Sequence, residues 1–153
     1  MTARANRFLV PVDDSEGSAA ALDVAARLAR DLGGTLTLLA IAPLATPPAT
    51  PLTAVPPAGG GDAEEELQQL LDLQAQERLD ELMARVGDGV DVRGELTWAP
   101  LGPAVVERAE RGDHDFVVIA WPDRGALGHL LHDHAALHVL DHCRLPALAV
   151  PSA

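Results

Sequence analysis

The chain has 153 residues, 48% of them hydrophobic, which suits one globular domain with a single core and excludes disordered and fibrous classes. Its formal net charge is −12 and all 11 basic residues are arginine, which disfavours nucleic-acid partners and excludes a catalytic or phosphate-binding lysine. No apolar run reaches the ~18 residues of a membrane span, and the lone Cys143 excludes a disulfide framework.

Residues 8–12, Phe-Leu-Val-Pro-Val, are a short apolar run closed by Asp13 and Asp14, and they read as a buried strand. Those two carboxylates also come too early for a secretory leader, so a cytoplasmic protein is expected. Ser15 is placed to cap a helix whose apolar positions Ala19, Leu22, Ala26 and Ala29 recur at helical spacing until Gly33 and Gly34 stop it. Residues 35–41, Thr-Leu-Thr-Leu-Leu-Ala-Ile, are almost continuously apolar, as a parallel strand covered on both faces should be. Strand, helix and strand at this spacing predict a right-handed βαβ unit. Residues 43–61 are rich in proline and glycine and predict an exposed, partly polyproline loop, a tolerated insertion.

From Asp62 a long helix is expected to run to about Val86, burying a stripe of Leu67, Leu70, Leu71, Gln74, Leu79, Leu82, Met83 and Val86. Residues 90–98 alternate, with Val90, Val92, Gly94, Leu96 and Trp98 set against Asp91, Arg93, Glu95 and Thr97. That pattern predicts a strand with one wetter face, at a sheet edge. A short helix over 102–112 starts at Pro103, and Asp113, His114 and Asp115 make the turn before the apolar run 116–120. A loop over 121–128, a helix from about Leu130 to Cys143 and a last strand over 146–150 close the pattern. The alternation predicts an α/β, Rossmann-like fold, a five-stranded parallel sheet with helices on both faces, in one domain over residues 1–153.

The opening segment FLVPVDDSEGSAAALDVAARLARDLGGTLTLLAIAP and the segment FVVIAWPDRGALGHLLHDHAALHVLDHCRLPALAVP together resemble the universal stress protein family. The resemblance implies the strand order 3-2-1-4-5 and a non-enzymatic stress-response protein. Many members hold ATP through a G-x2-G-x9-G-[ST] spacing after the fourth strand, and here that spacing falls on Ala120, Asp123, Asp133 and His134. The family's adenine contacts fall on Asp13 and Ile41. The base-binding half is thus kept, and the phosphate half is rewritten. Glycines there let backbone N–H groups close on phosphate, whereas Asp123 and Asp133 oppose a triphosphate's roughly four negative charges. Arg124 is expected to pair with Asp123 or solvent, and His134 offers a single donor. No cofactor is therefore expected and tight ATP binding least of all, although an ATP- or AMP-dependent switch stays open as an alternative. The family's usual dimer, by antiparallel pairing of the last strand, implies a homodimer through Pro146, Ala147, Leu148, Ala149 and Val150.

Five of the six histidines lie between Gly128 and Cys143. His134 and His138 stand at i, i+4, a spacing that suits Zn2+ or Ni2+, which makes a metal-binding protein the second alternative. His142, a further turn on, lies about 12 Å along the axis from His134 and diverges. No catalytic constellation emerges: Ser15 and Ser18 belong to a helix start, and Cys143 reads as a buried helix end.

Overall fold

Five short apolar runs line up as a parallel sheet in the computed structural model, which describes residues 6–13, 16–43, 61–121 and 134–151. The elements follow in the order β1 (Arg7–Val12), α1 (Glu16–Leu32), β2 (Thr35–Ile41), α2 (Gly61–Val86), β3 (Asp91–Thr97), α3 (Leu101–Glu110), β4 (Phe116–Trp121), α4 (His134–His142) and β5 (Ala147–Pro151). The strand order is β3-β2-β1-β4-β5, as the resemblance implied. Ser15, Asp123, Arg124, Asp133 and most of the proline-rich segment (44–60) lie outside the described residues.

The helices sit on both faces and divide the core in two. Beneath α1 and α2 pack Val10, Val12, Leu22, Leu36, Leu38, Leu79 and Leu82. On the other face, α3 and α4 cover Leu9, Leu39, Val105, Val117 and Val139. The inner face of α1 is mostly alanine (Ala21, Ala25, Ala26, Ala29), which lets its backbone approach the sheet closely. Leu22, fully buried among them, contributes about 2 kcal/mol by apolar transfer.

Two features mark the carboxyl ends of the strands, and the second positions the site. β1 keeps partners on β2 through Val12, but on the β4 side only Phe8 and Leu9 are paired. Pro11 has no N–H to give to a ladder, and the two strands are unpaired at their carboxyl ends, where the strand order reverses. The second feature is a mismatch of lengths. α2 has 26 residues and spans about 39 Å, whereas the seven-residue β3 beneath it spans about 23 Å.

That mismatch corrects the expected stripe of α2. Leu79, Leu82 and Val86 are buried against the sheet, but Leu67, Leu70 and Leu73 are 47%, 58% and 56% exposed, and Gln74 is exposed too. The helix runs antiparallel to the strands, so its amino-terminal half overhangs their carboxyl ends, with no sheet below it. Periodicity registers the leucines and cannot register where the sheet stops.

The overhang is tied down by polar contacts. Gln68 Nε2 donates to Pro43 O (3.1 Å) and to Asp72 Oδ1 (2.8 Å), and Trp98 Nε1 donates to the same Asp72 oxygen (3.0 Å). Trp98 is therefore half exposed at the end of β3 rather than a core residue. At the other end Arg85 forks onto Asp23 of α1 (2.9 and 2.8 Å), and Arg30 donates to the Val86 carbonyl at the carboxyl end of α2.

Candidate functional site

Above the carboxyl ends of β1 and β2, under the overhanging half of α2, lies a cavity of about 340 Å3. Val12, Asp13, Ala40, Ile41 and Pro43 form its floor, and Leu71, Gln74, Ala75, Arg78 and Leu82 of α2 form the wall above. Most of this lining is apolar, with a carboxylate, an amide and a guanidinium at intervals. That combination suits a flat ligand with a few polar edges. The floor follows from the strand pattern, because Val12 and Ala40 end two buried strands. The wall follows from the overhang of α2.

Asp13 and Ile41, far apart in sequence, are brought together here as expected. The Asp13 backbone N–H donates to the buried Ser18 Oγ (2.9 Å), which ties the residue after β1 to the first turn of α1. Ser18 is thereby a structural hydroxyl. Ala120 does not reach the cavity; it is the penultimate residue of β4 and packs, partly buried, against the core under α1. Asp123, Arg124 and Asp133 fall outside the described residues, and of His134 only its place as the first residue of α4 is described. The α2 contributors Gln74 and Arg78 escaped the sequence reading as site residues. Arg78 carried a usable signal, being a cation one helical turn from Gln74 in a helix that follows a site strand.

On the histidine helix His138 is half-buried and His142 is exposed. His138 and His142 stack with centroids 4.3 Å apart and planes 18° apart, and His142 Nδ1 lies 3.0 Å from the His138 carbonyl oxygen. A shared ion must lie in both ring planes about 2.1 Å from each nitrogen, and near-parallel faces do not converge on such a point. No group of three metal-ligating side chains occurs among the described residues. Gly102 explains the crowding: a Cβ there would lie 3.0 Å from His138 Cβ, so α3 and α4 meet closely at this glycine. Cys143 packs partly buried against the α3–α4 core.

On the α3 face, a charged cluster occupies the amino-terminal side of the sheet. Arg108 bridges Glu95 of β3 (2.8 Å) and Asp113 (2.7 Å). Arg7 forks onto Asp115, binding the start of β1 to that of β4. The hydrogen bonds from Arg108 hold the Glu95 and Asp113 carboxyls below the usual carboxylate range, and its own pKa is raised by Glu95 first. His114, 5% exposed, has its Nδ1 3.0 Å from Asp113 Oδ1, but the approach lacks hydrogen-bond geometry, so the contact is electrostatic. Burial, aided by Arg108 and opposed by Asp113, lowers the His114 pKa. The expected turn at 113–115 is thus also a charged clamp.

The universal stress protein family model matches residues 5–151. This chain belongs to the universal stress protein family. Among solved structures, it is similar to the universal stress protein UspA of Lactobacillus plantarum at 18% identity and TM-score 0.74, covering 97% of this chain and 99% of that one. It is similar to the universal stress protein of Archaeoglobus fulgidus in complex with dAMP at 15% identity and TM-score 0.59, covering 96% and 98%. A family member from Arabidopsis thaliana with AMP bound matches at 12% identity and TM-score 0.58, covering 97% and 92%. At such identities the likeness establishes the fold. No curated protein matches the sequence. As a universal stress protein domain, the chain places its cavity at the carboxyl ends of β1 and β2, the side of the sheet on which open α/β folds take ligands, and among the described residues no helix is long and apolar enough to cross a membrane.

Proposed function

We propose that this universal stress protein is a non-enzymatic, cytoplasmic, homodimeric stress-response protein that keeps a base-binding cavity and has lost tight ATP binding. The observation that carries the reading is the meeting of Asp13 and Ile41 in one mainly apolar cavity. The relatives solved with dAMP and with AMP make an adenine-type occupant the natural candidate for that cavity. The phosphate side argues the other way. The three glycine places of the family's phosphate loop carry Ala120, Asp123 and Asp133, so the sequence puts carboxylates where backbone N–H groups should face phosphate.

The dimer rests on β5. It is an edge strand, its outer N–H and C=O groups have no partner strand among the described residues, and Leu148 is 45% exposed on it. Antiparallel pairing with a second copy about a two-fold axis would satisfy both. A non-enzymatic role is supported by the structural use of two candidate nucleophiles, since Ser18 accepts from the Asp13 N–H and Cys143 packs against the α3–α4 core.

Calorimetry with Mg-ATP tests the reading. The expected result is no binding tighter than about 100 μM, and a low-micromolar constant would overturn it.

A further inference from the structure

The wall of the cavity differs in kind from its floor. The floor is the strand-end surface that the fold supplies, whereas the wall exists because α2 overhangs the sheet. Through that wall α2 presents two polar side chains one turn apart, Gln74 and Arg78. Gln74 has no hydrogen-bond partner among the described residues, and it brings two donors and an acceptor to the cavity. The Arg78 guanidinium lies 2.9 Å from Glu81 Oε2, a pair 48% and 68% exposed. Ion pairs this exposed contribute little, and a guanidinium carries five N–H donors. Arg78 can therefore take an anionic ligand group while sharing or releasing Glu81.

We propose that α2 is the specificity element of this cavity, with Gln74 reading the polar edge of a bound purine and Arg78 taking the single anionic group of a nucleoside monophosphate. The proposal rests on the base-binding reading given above and adds to it the residues and the ligand class. Charge decides the class. Arg78 is the one cation among the described lining residues and Asp13 the one carboxylate, so the lining is neutral before a ligand enters. A monophosphate brings about two negative charges near neutral pH, whereas a triphosphate brings about four to the same cation. The volume of about 340 Å3 lies at the lower end of small-molecule sites, which also favours a compact ligand. The arrangement is held in place by the Pro43–Gln68–Asp72–Trp98 contacts, which fix the overhang to the ends of β2 and β3 one turn before Gln74.

The test is a calorimetric titration of the full chain with adenosine, AMP and inorganic phosphate, in the wild type and in three variants on exposed α2 positions. The wild type is expected to bind AMP more tightly than adenosine and to show no measurable binding of phosphate alone. Arg78→Gln should lower the AMP-to-adenosine affinity ratio about tenfold, the worth of one charge-assisted hydrogen bond. Glu81→Gln, which removes one competing carboxylate, should raise that ratio by about two- to fivefold. Gln74→Leu should weaken adenosine and AMP by the same factor and leave the ratio unchanged. If AMP binds and its ratio to adenosine is the same in Arg78→Gln and Glu81→Gln as in the wild type, the assignment to α2 is wrong while the base-binding reading stands. If neither adenosine nor AMP binds the wild type, both readings fall.

Discussion

Gly94 is where α2 presses on the sheet, and replacing it with alanine tests that docking directly. A Cβ at Gly94 would lie 2.8 Å from Leu79 Cγ and 2.7 Å from Met83 Sδ. Carbon atoms settle at about 3.5–4.0 Å, so the new methyl is short by nearly 1 Å against a leucine that is 1% exposed. Met83 can swing aside, but Leu79 sits in the core with nowhere to move. The expected cost is that of overpacking, about 1–3 kcal/mol, or about 3–10 °C in melting temperature for a domain of this size. The sign is informative, because an unhindered strand glycine replaced by alanine gains about 0.5–1 kcal/mol. Leu79→Ala alone should cost about 2–5 kcal/mol by leaving a cavity. In the double variant the alanine methyl enters the vacated space, so the two losses should fall short of additivity by at least about 1 kcal/mol. Urea midpoints of the four proteins measure this. A neutral or stabilising Gly94→Ala, or strict additivity, would refute the packing of α2 on β3 and with it the wall of the cavity.

Three other outcomes follow. Because burial favours neutral His114, its pKa is lower folded than unfolded; its contribution is full above the unfolded value of about 6.5 and is lost as pH falls from there through the folded value. Urea midpoints should therefore drop between pH 7.5 and pH 5 by more in the wild type than in His114→Gln, and equal drops would contradict this. Leu148→Arg should give a folded monomer by light scattering, since Leu148 is already exposed within one chain; an unchanged dimer would place the interface elsewhere. Melting temperature should not change between EDTA and Zn2+, given the stacked His138 and His142, and a chelator-induced fall of several degrees would favour a metal on His134 and His138 instead.

Strand alternation and apolar runs located every strand to within a residue or two, because β1 and β2 are largely buried and the edge strand β3 alternates polar and apolar residues in sequence. The meeting of Asp13 and Ile41 was legible for the same reason, since each stands at a strand end fixed by those runs. What escaped were matters of relative length and of contact between distant elements. The exposure of Leu67, Leu70 and Leu73 depends on how far α2 outruns the sheet, which no local pattern encodes. Asp113 and His114 read as a turn because their partners, Arg108 and Glu95, reach them only through the fold. Gln74 was placed in the buried stripe on periodicity and is instead exposed along the cavity wall.

The central claim, a kept base cavity beside a lost triphosphate cradle, is tested most directly by restoring the cradle. The variant Ala120→Gly, Asp123→Gly, Asp133→Gly, His134→Ser returns the family spacing at the four positions it occupies here. Calorimetric titration of this variant and of the wild type with adenosine and with Mg-ATP compares the two halves in one experiment. The account predicts that adenosine affinity is unchanged while Mg-ATP affinity rises at least tenfold in the variant, from a wild-type constant no tighter than about 100 μM. A wild-type protein that already binds Mg-ATP in the low-micromolar range, with no gain on restoring the glycines, would contradict it.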